Sequence, residues 1–177
     1  MRALARSLCT LVALLAASTL ASAEARPLDD ARRALWRWDL PRAERLLKAA
    51  SGDQSLVLRA RLMLQRSDFK GVDALLTPFV KASPQAYEAR VILGEALYAL
   101  GQDTRAFSTL DTIATDYGEG RLTTAEDLMW LADALAQTDY FKNANEVYQE
   151  AVQADPHLHD AKVRWAELFI DKYNYRD

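Results

Sequence analysis

A recurrence of about 34 residues constrains this chain more than any other feature. Its clearest copy starts at Ala125 and reads Leu128, Leu131-Ala132, Leu135, then Ala144, Tyr148, Ala151 and Pro156. Counted from Ala125 as position 1, large apolar residues stand at 4, 7 and 11, small ones at 8, 20 and 27, an aromatic at 24 and proline at 32. The same frame begins 38 residues earlier at Tyr87, with Leu93-Gly94, Leu97, Gly101, Ala106 and Leu110. It begins 34 residues before that at Asp53, with Leu56, Ala60, Met63, Leu76 and Pro84. Moved forward 34 residues from Ala125 to His159, it gives Trp165-Ala166 and Phe169. A degenerate first copy begins near Glu24, with Ala31, Ala34, Ala43 and Leu47.

Residues three and four apart share one face of a helix, so positions 4, 7 and 11 form the apolar stripe of a first helix. Positions 20, 24 and 27 do the same on a second. Small residues at 8 and 20 let the two helices approach, and proline at 32 stops the second helix. With only six glycines and five prolines in 177 residues, nothing in the composition opposes this helical reading. Asp39, Asp68, Asp103 and Asp139 fall between the two helices, where aspartate is a good N-cap.

In phase and in residue class the pattern resembles the tetratricopeptide repeat. The resemblance implies an all-α solenoid of about four helical-hairpin repeats plus a terminal half repeat. Its units are expected over residues 24–52, 53–86, 87–124, 125–158 and 159–177. Between Tyr117 and Leu122 two glycines lengthen one period by four residues, which reads as a surface insertion between repeats. Asp177 stands at unit position 19, so the last unit carries a first helix and no second; the chain is expected to be a fragment that continues with a small residue.

Residues 1–23 stand apart. Arg2 and Arg6 precede the uncharged stretch Leu8–Leu20, and Ala21-Ser22-Ala23 forms a small-x-small cleavage site, the layout of a secretory signal peptide. The apolar run is short for a spanning helix of ~20 residues, so no stable membrane insertion is expected after cleavage. Export to a periplasm or out of the cell follows. Removal of the signal takes away Cys9, the single cysteine, and leaves 20 basic and 25 acidic side chains. Disulfide and thiolate chemistry are then excluded. The acidic balance, without a basic cluster, argues against nucleic acid.

No nucleotide-binding glycine loop, nucleophile elbow or zinc-protease helix occurs, and the chain is read as no enzyme and as needing no cofactor. His157 and His159 lie between Asp155 and Asp160. They read as an inter-repeat turn leading into a helix, where Asp160 suits the dipole, and not as metal ligands. Trp36 and Trp38, two residues apart, diverge by roughly 200° on a helix. One is expected in the core and the other exposed, both serving packing.

The resemblance also implies a partner surface. In the family, first helices line a concave groove through unit positions 2, 5, 9, 12 and 13. Position 9 gives Arg32, Arg61, Glu95, Asp133 and Glu167; position 2 of the last three units gives Glu88, Glu126 and Asp160. Val91, Tyr98, Met129 and Val163 fall between them as apolar patches. The groove is expected to be acidic in its C-terminal half and to hold a basic or amphipathic protein segment, in contrast to family members that clamp a carboxylate with basic residues. The reading that follows is an exported interaction scaffold. One alternative is the helical arm of a larger exported enzyme, resembling proteins that join such repeats to a metallopeptidase-like domain. Another is a homodimer formed through Trp165 and Phe169 of the half unit.

Overall fold

Helix follows helix wherever an apolar stripe of the sequence ends in a turn former. A computed structural model describes residues 26–174 of the chain, with side chains to Lys172. The signal peptide read over residues 1–23 and the Tyr-Arg-Asp end lie outside the described residues. Those described form α1 (residues 26–36), α2 (Leu40–Lys48), α3 (Asp53–Gln65), α4 (Phe69–Ala82), α5 (Tyr87–Ala99), α6 (Asp103–Gly118), α7 (Ala125–Gln137), α8 (Phe141–Ala154) and α9 (His159–Asn174), and no strand. The class is all-α. Four of these helices begin at Asp53, Tyr87, Ala125 and His159, the residues from which the units were counted. None among the described residues is long and apolar enough to cross a membrane.

The chain forms two compact units, the first ending at Arg66 and the second beginning at Ser67. This boundary falls inside the expected unit 53–86. In the first, Ala31, Ala34, Leu35, Ala43 and Leu47 pack with Leu58 and Leu62. Arg59 donates to the Leu47 and Ala50 carbonyls at 2.8 and 2.7 Å, tying α3 to the C-terminal end of α2.

In the second unit α5 lies against α4, α6 and α7, and α7 lies against α5, α6, α8 and α9. α5 and α7 thus each meet both their own second helix and a neighbouring first helix. Small residues set the spacing. Ala106, Ala132 and Ala144 are fully buried, and a Cβ on Gly94 would stand 2.7 Å from Cδ2 of Leu110. Around them Leu110, Ile113, Met129 and Leu131 are buried almost completely, each contributing roughly 1.5–3 kcal/mol.

Four helix-to-helix turns repeat one geometry. Trp38, Ser67, Gly101 and Asp139 all hold a positive φ, between 56° and 68°. The next N–H reaches back to a carbonyl of the preceding turn, as from Gln102 to Leu97 and from Tyr140 to Leu135, each at 2.9 Å. This register corrects the capping expectation. Asp39 and Asp68 do cap, accepting from the N–H of Arg42 at 3.2 Å and of Gly71 at 3.0 Å. Asp103 is already the first residue of α6, and Asp139 occupies the left-handed position itself, one residue too early to cap.

Candidate functional site

The first helices of the second unit carry the face on which the sequence places a partner. Tyr87, Ala125 and His159 open α5, α7 and α9 in one phase, so equivalent unit positions recur along neighbouring helices. Glu95, Glu126 and Glu167 are exposed, and Glu88 and Asp160 half-buried. Val163, Phe169 and Ile170 bring apolar surface to α9, exposed to 36, 42 and 57 %. Tyr98 is half-buried against the core, and burial, followed by the charges of Asp103 and Asp139, raises its phenol pKa. At the expected groove positions the exposed surface is therefore acidic, with Val163 and Ile170 apolar on α9, while Phe169, at position 11, faces away from Glu167.

Its centre differs from the expectation. Met129 is only 1 % exposed and Val91 4 %, so both belong to the core and not to an open patch. Asp133 is 7 % exposed. Its carboxylate accepts a very short hydrogen bond from the Tyr148 hydroxyl, and a second at 2.6 Å from Nη1 of Arg164. The physical reason is the position of α7, which has α5 on one side and α9 on the other. Side chains at its positions 5 and 9 are covered by these neighbours. An acid there must be paired, because an isolated buried charge is costly. The guanidinium of Arg164 also lies 4.7 Å from the centroid of the Trp130 ring. Burial opposes the Arg164 charge, yet Asp133 and then Tyr148 raise its pKa. Burial first, and then the Asp133 charge, push the Tyr148 phenol far above its ordinary value. Asp133 thus joins α7, α8 and α9, and its charge is neutralised before a ligand could meet it.

A second cluster has the same chemistry. Asp116, 5 % exposed, accepts from the Tyr87 hydroxyl at 3.1 Å and from Nε of Arg121 at 3.1 Å. Burial, then the bond to Asp116, push the Tyr87 phenol up to about 12. Arg121 belongs to the four-residue insertion, so that segment is fastened to a buried carboxylate between α5 and α6. Neither cluster was visible as a pair in the sequence, because its members stand 29 and 15 residues apart. Tyrosine and aspartate at buried stripe positions were the available signal.

The remaining expected residues are placed as follows. Arg61 is half-buried on α3 of the first unit. Trp165 is half-buried, donates its indole N–H to Oδ1 of Asn145 at 2.9 Å, and lies 6.3 Å from the Phe169 ring. Of this pair Phe169 is the one that offers open surface. Trp36 and Trp38 are exposed to 65 and 67 %, so neither is core. The helical angle does not apply to them, since Trp38 lies past the end of α1 in a left-handed conformation. The Asp155 carboxylate accepts from the His157 N–H at 2.8 Å, a local turn bond. Among the described residues no group of three potential metal ligands occurs.

No family model matches the chain, and no curated protein matches it. Solved structures with similar folds include a thermophilic TPR protein of Thermus thermophilus, 21 % identical over 83 % of this chain and 99 % of that one, with a TM-score of 0.43. MamA (41-end) from Desulfovibrio magneticus RS-1 is 19 % identical over 87 % of this chain and 97 % of that one, with a TM-score of 0.48. Identities this low carry no function from one protein to another.

Proposed function

We propose that the chain is an exported, non-catalytic scaffold that holds a basic or amphipathic segment of another protein against the α5–α7–α9 face. The observation that carries this reading is the exposure of Glu95, Glu126 and Glu167 on three neighbouring first helices, beside the apolar Val163 and Ile170. Acids around an apolar strip attract cations and give an amphipathic helix somewhere to bury its face. The signal-like N-terminus supports export, and the repeat pattern supports binding over catalysis. Arg61 lies on the first unit, and Met129 and Asp133 have structural work; the proposed contact therefore rests on Glu95, Tyr98, Glu167 and Ile170.

Fluorescence anisotropy with a labelled basic amphipathic helical peptide tests it. Affinity should fall as salt rises, and Glu95→Lys with Glu167→Lys should weaken it at least about tenfold, the equivalent of ~1.4 kcal/mol. Equal affinity in the double variant contradicts the reading. A second face, turned away from Glu167 on the same helix, is supported by the exposure of Phe169 beside the Trp165 ring: a homodimer through α9, which Phe169→Glu would dissociate.

A further inference from the structure

The α1–α2 turn is unlike the other three hairpin turns. Equivalent left-handed positions hold Ser67, Gly101 and Asp139, residues small or polar enough for a turn, whereas the first unit places Trp38 there. A left-handed conformation costs a bulky residue roughly 1–2 kcal/mol, so folding does not favour tryptophan at this position. Nor does burial, since Trp38 and the adjacent Trp36 are both about two-thirds exposed. Arg37, Pro41 and Arg42 beside them are exposed as well, while the Asp39 carboxylate is engaged by the N-terminus of α2. The tip of this hairpin is two indoles framed by cations.

Charge is divided sharply along the chain. Residues 26–66 carry ten basic and five acidic side chains, a net charge of +5; residues 67–177 carry ten basic and nineteen acidic, a net charge of −9. The second unit also holds a cleft of about 830 Å³ where the end of α7, the start of α8 and the end of α9 meet. Ala136, Phe141 and Leu168 give it an apolar floor, and Asp139 and Asp171 stand at its edge. The Nζ of Lys172 lies 4.0 Å from the centroid of the Phe141 ring, so the aromatic floor already receives a cation.

We infer that the chain associates head to tail, the Trp36–Trp38 tip of one copy entering the α7–α8–α9 cleft of a second. Indoles cover the apolar floor, and Arg37 and Arg42 face Asp139 and Asp171. Donor and acceptor are different residue sets, one on each unit, so the contact is heterologous. Opposite net charges on the two units steer the encounter. A second copy is favoured over an anionic bilayer because a cleft with an apolar floor and two carboxylates, Asp139 and Asp171, among its lining residues is part of the same chain.

Sedimentation velocity on protein purified from cells expressing the full sequence tests this. Association should grow with concentration and weaken as salt rises. Trp36→Ser with Trp38→Gly should weaken it at least about tenfold while leaving the fold intact, since both side chains are exposed. Asp139→Asn with Asp171→Lys should weaken it from the other side. Mixing these two double variants should restore a one-to-one complex that grows no further, because the first keeps its cleft and the second its tip. The groove variant Glu95→Lys should associate as the native chain does, which separates this contact from the proposed partner face. A native chain that stays monomeric, a tip variant that associates normally, or a mixture that forms no complex would overturn the inference. So would a monomer that instead co-sediments with phosphatidylglycerol vesicles in a tryptophan-dependent manner.

Discussion

Gly94 shows how much one side chain decides. Its missing Cβ leaves Leu110 room to lie directly on α5. Gly94→Ala must displace Leu110 or widen the α5–α6 spacing, and a loss of about 1–3 kcal/mol is expected in urea unfolding. An unchanged midpoint would mean that Leu110 repacks without strain. The class of residue at this position was legible in the sequence, since Gly94 repeats the small residues Ala60 and Ala132 in phase. Exposure at single positions was less so. Position 9 is open on α5, where Glu95 lies, and closed on α7, where Asp133 lies. The repeat frame gives both the same number, and only the neighbouring helices distinguish them. Trp38 was unreadable for another reason, since it stands two residues beyond the end of α1, where helical spacing no longer applies.

Elements are fixed at their ends. The hydroxyl of Thr124 accepts from the Asp127 N–H at 3.0 Å, and the Asp127 carboxylate accepts from the Thr124 N–H at 3.0 Å. This reciprocal cap starts α7 after the two-glycine loop, where the chain most needs a defined entry. Thr124→Ala should cost ~1 kcal/mol in thermal or urea unfolding, with Thr124→Ser nearly neutral. The Thr-x-x-Asp spacing was present in the sequence and went unused beside the stronger repeat signal. Pro78, inside α4, was equally visible and has no counterpart in the repeat pattern; it removes one helical hydrogen bond and lies on the exposed side. Helix starts at Asp53, Tyr87, Ala125 and His159 were legible because apolar spacing and the repeat frame agree there.

At the scale of the molecule the two buried tyrosine–aspartate–arginine clusters make stability depend on pH. An unfolded chain releases the Tyr87 proton near 10, and the folded chain holds it to about 12. The group's contribution is therefore complete below about pH 10 and is lost as pH rises towards about 12; two units correspond to ~3 kcal/mol. Tyr148 acts in the same direction. Urea midpoints should fall across this window, and Tyr87→Phe should flatten the fall. The boundary after Arg66 was not legible in the sequence, because the repeat frame runs through it unbroken.

The claim that most needs testing is that the exposed first-helix face of the second unit receives a basic segment. The direct measurement is the map of backbone amide chemical-shift changes as unlabelled basic amphipathic peptide is titrated into labelled protein. Changes concentrated at Glu95, Tyr98, Glu167 and Ile170, reversing with added salt, are the predicted result. Changes confined to the second helices α6 and α8, or none at saturating peptide, would contradict it.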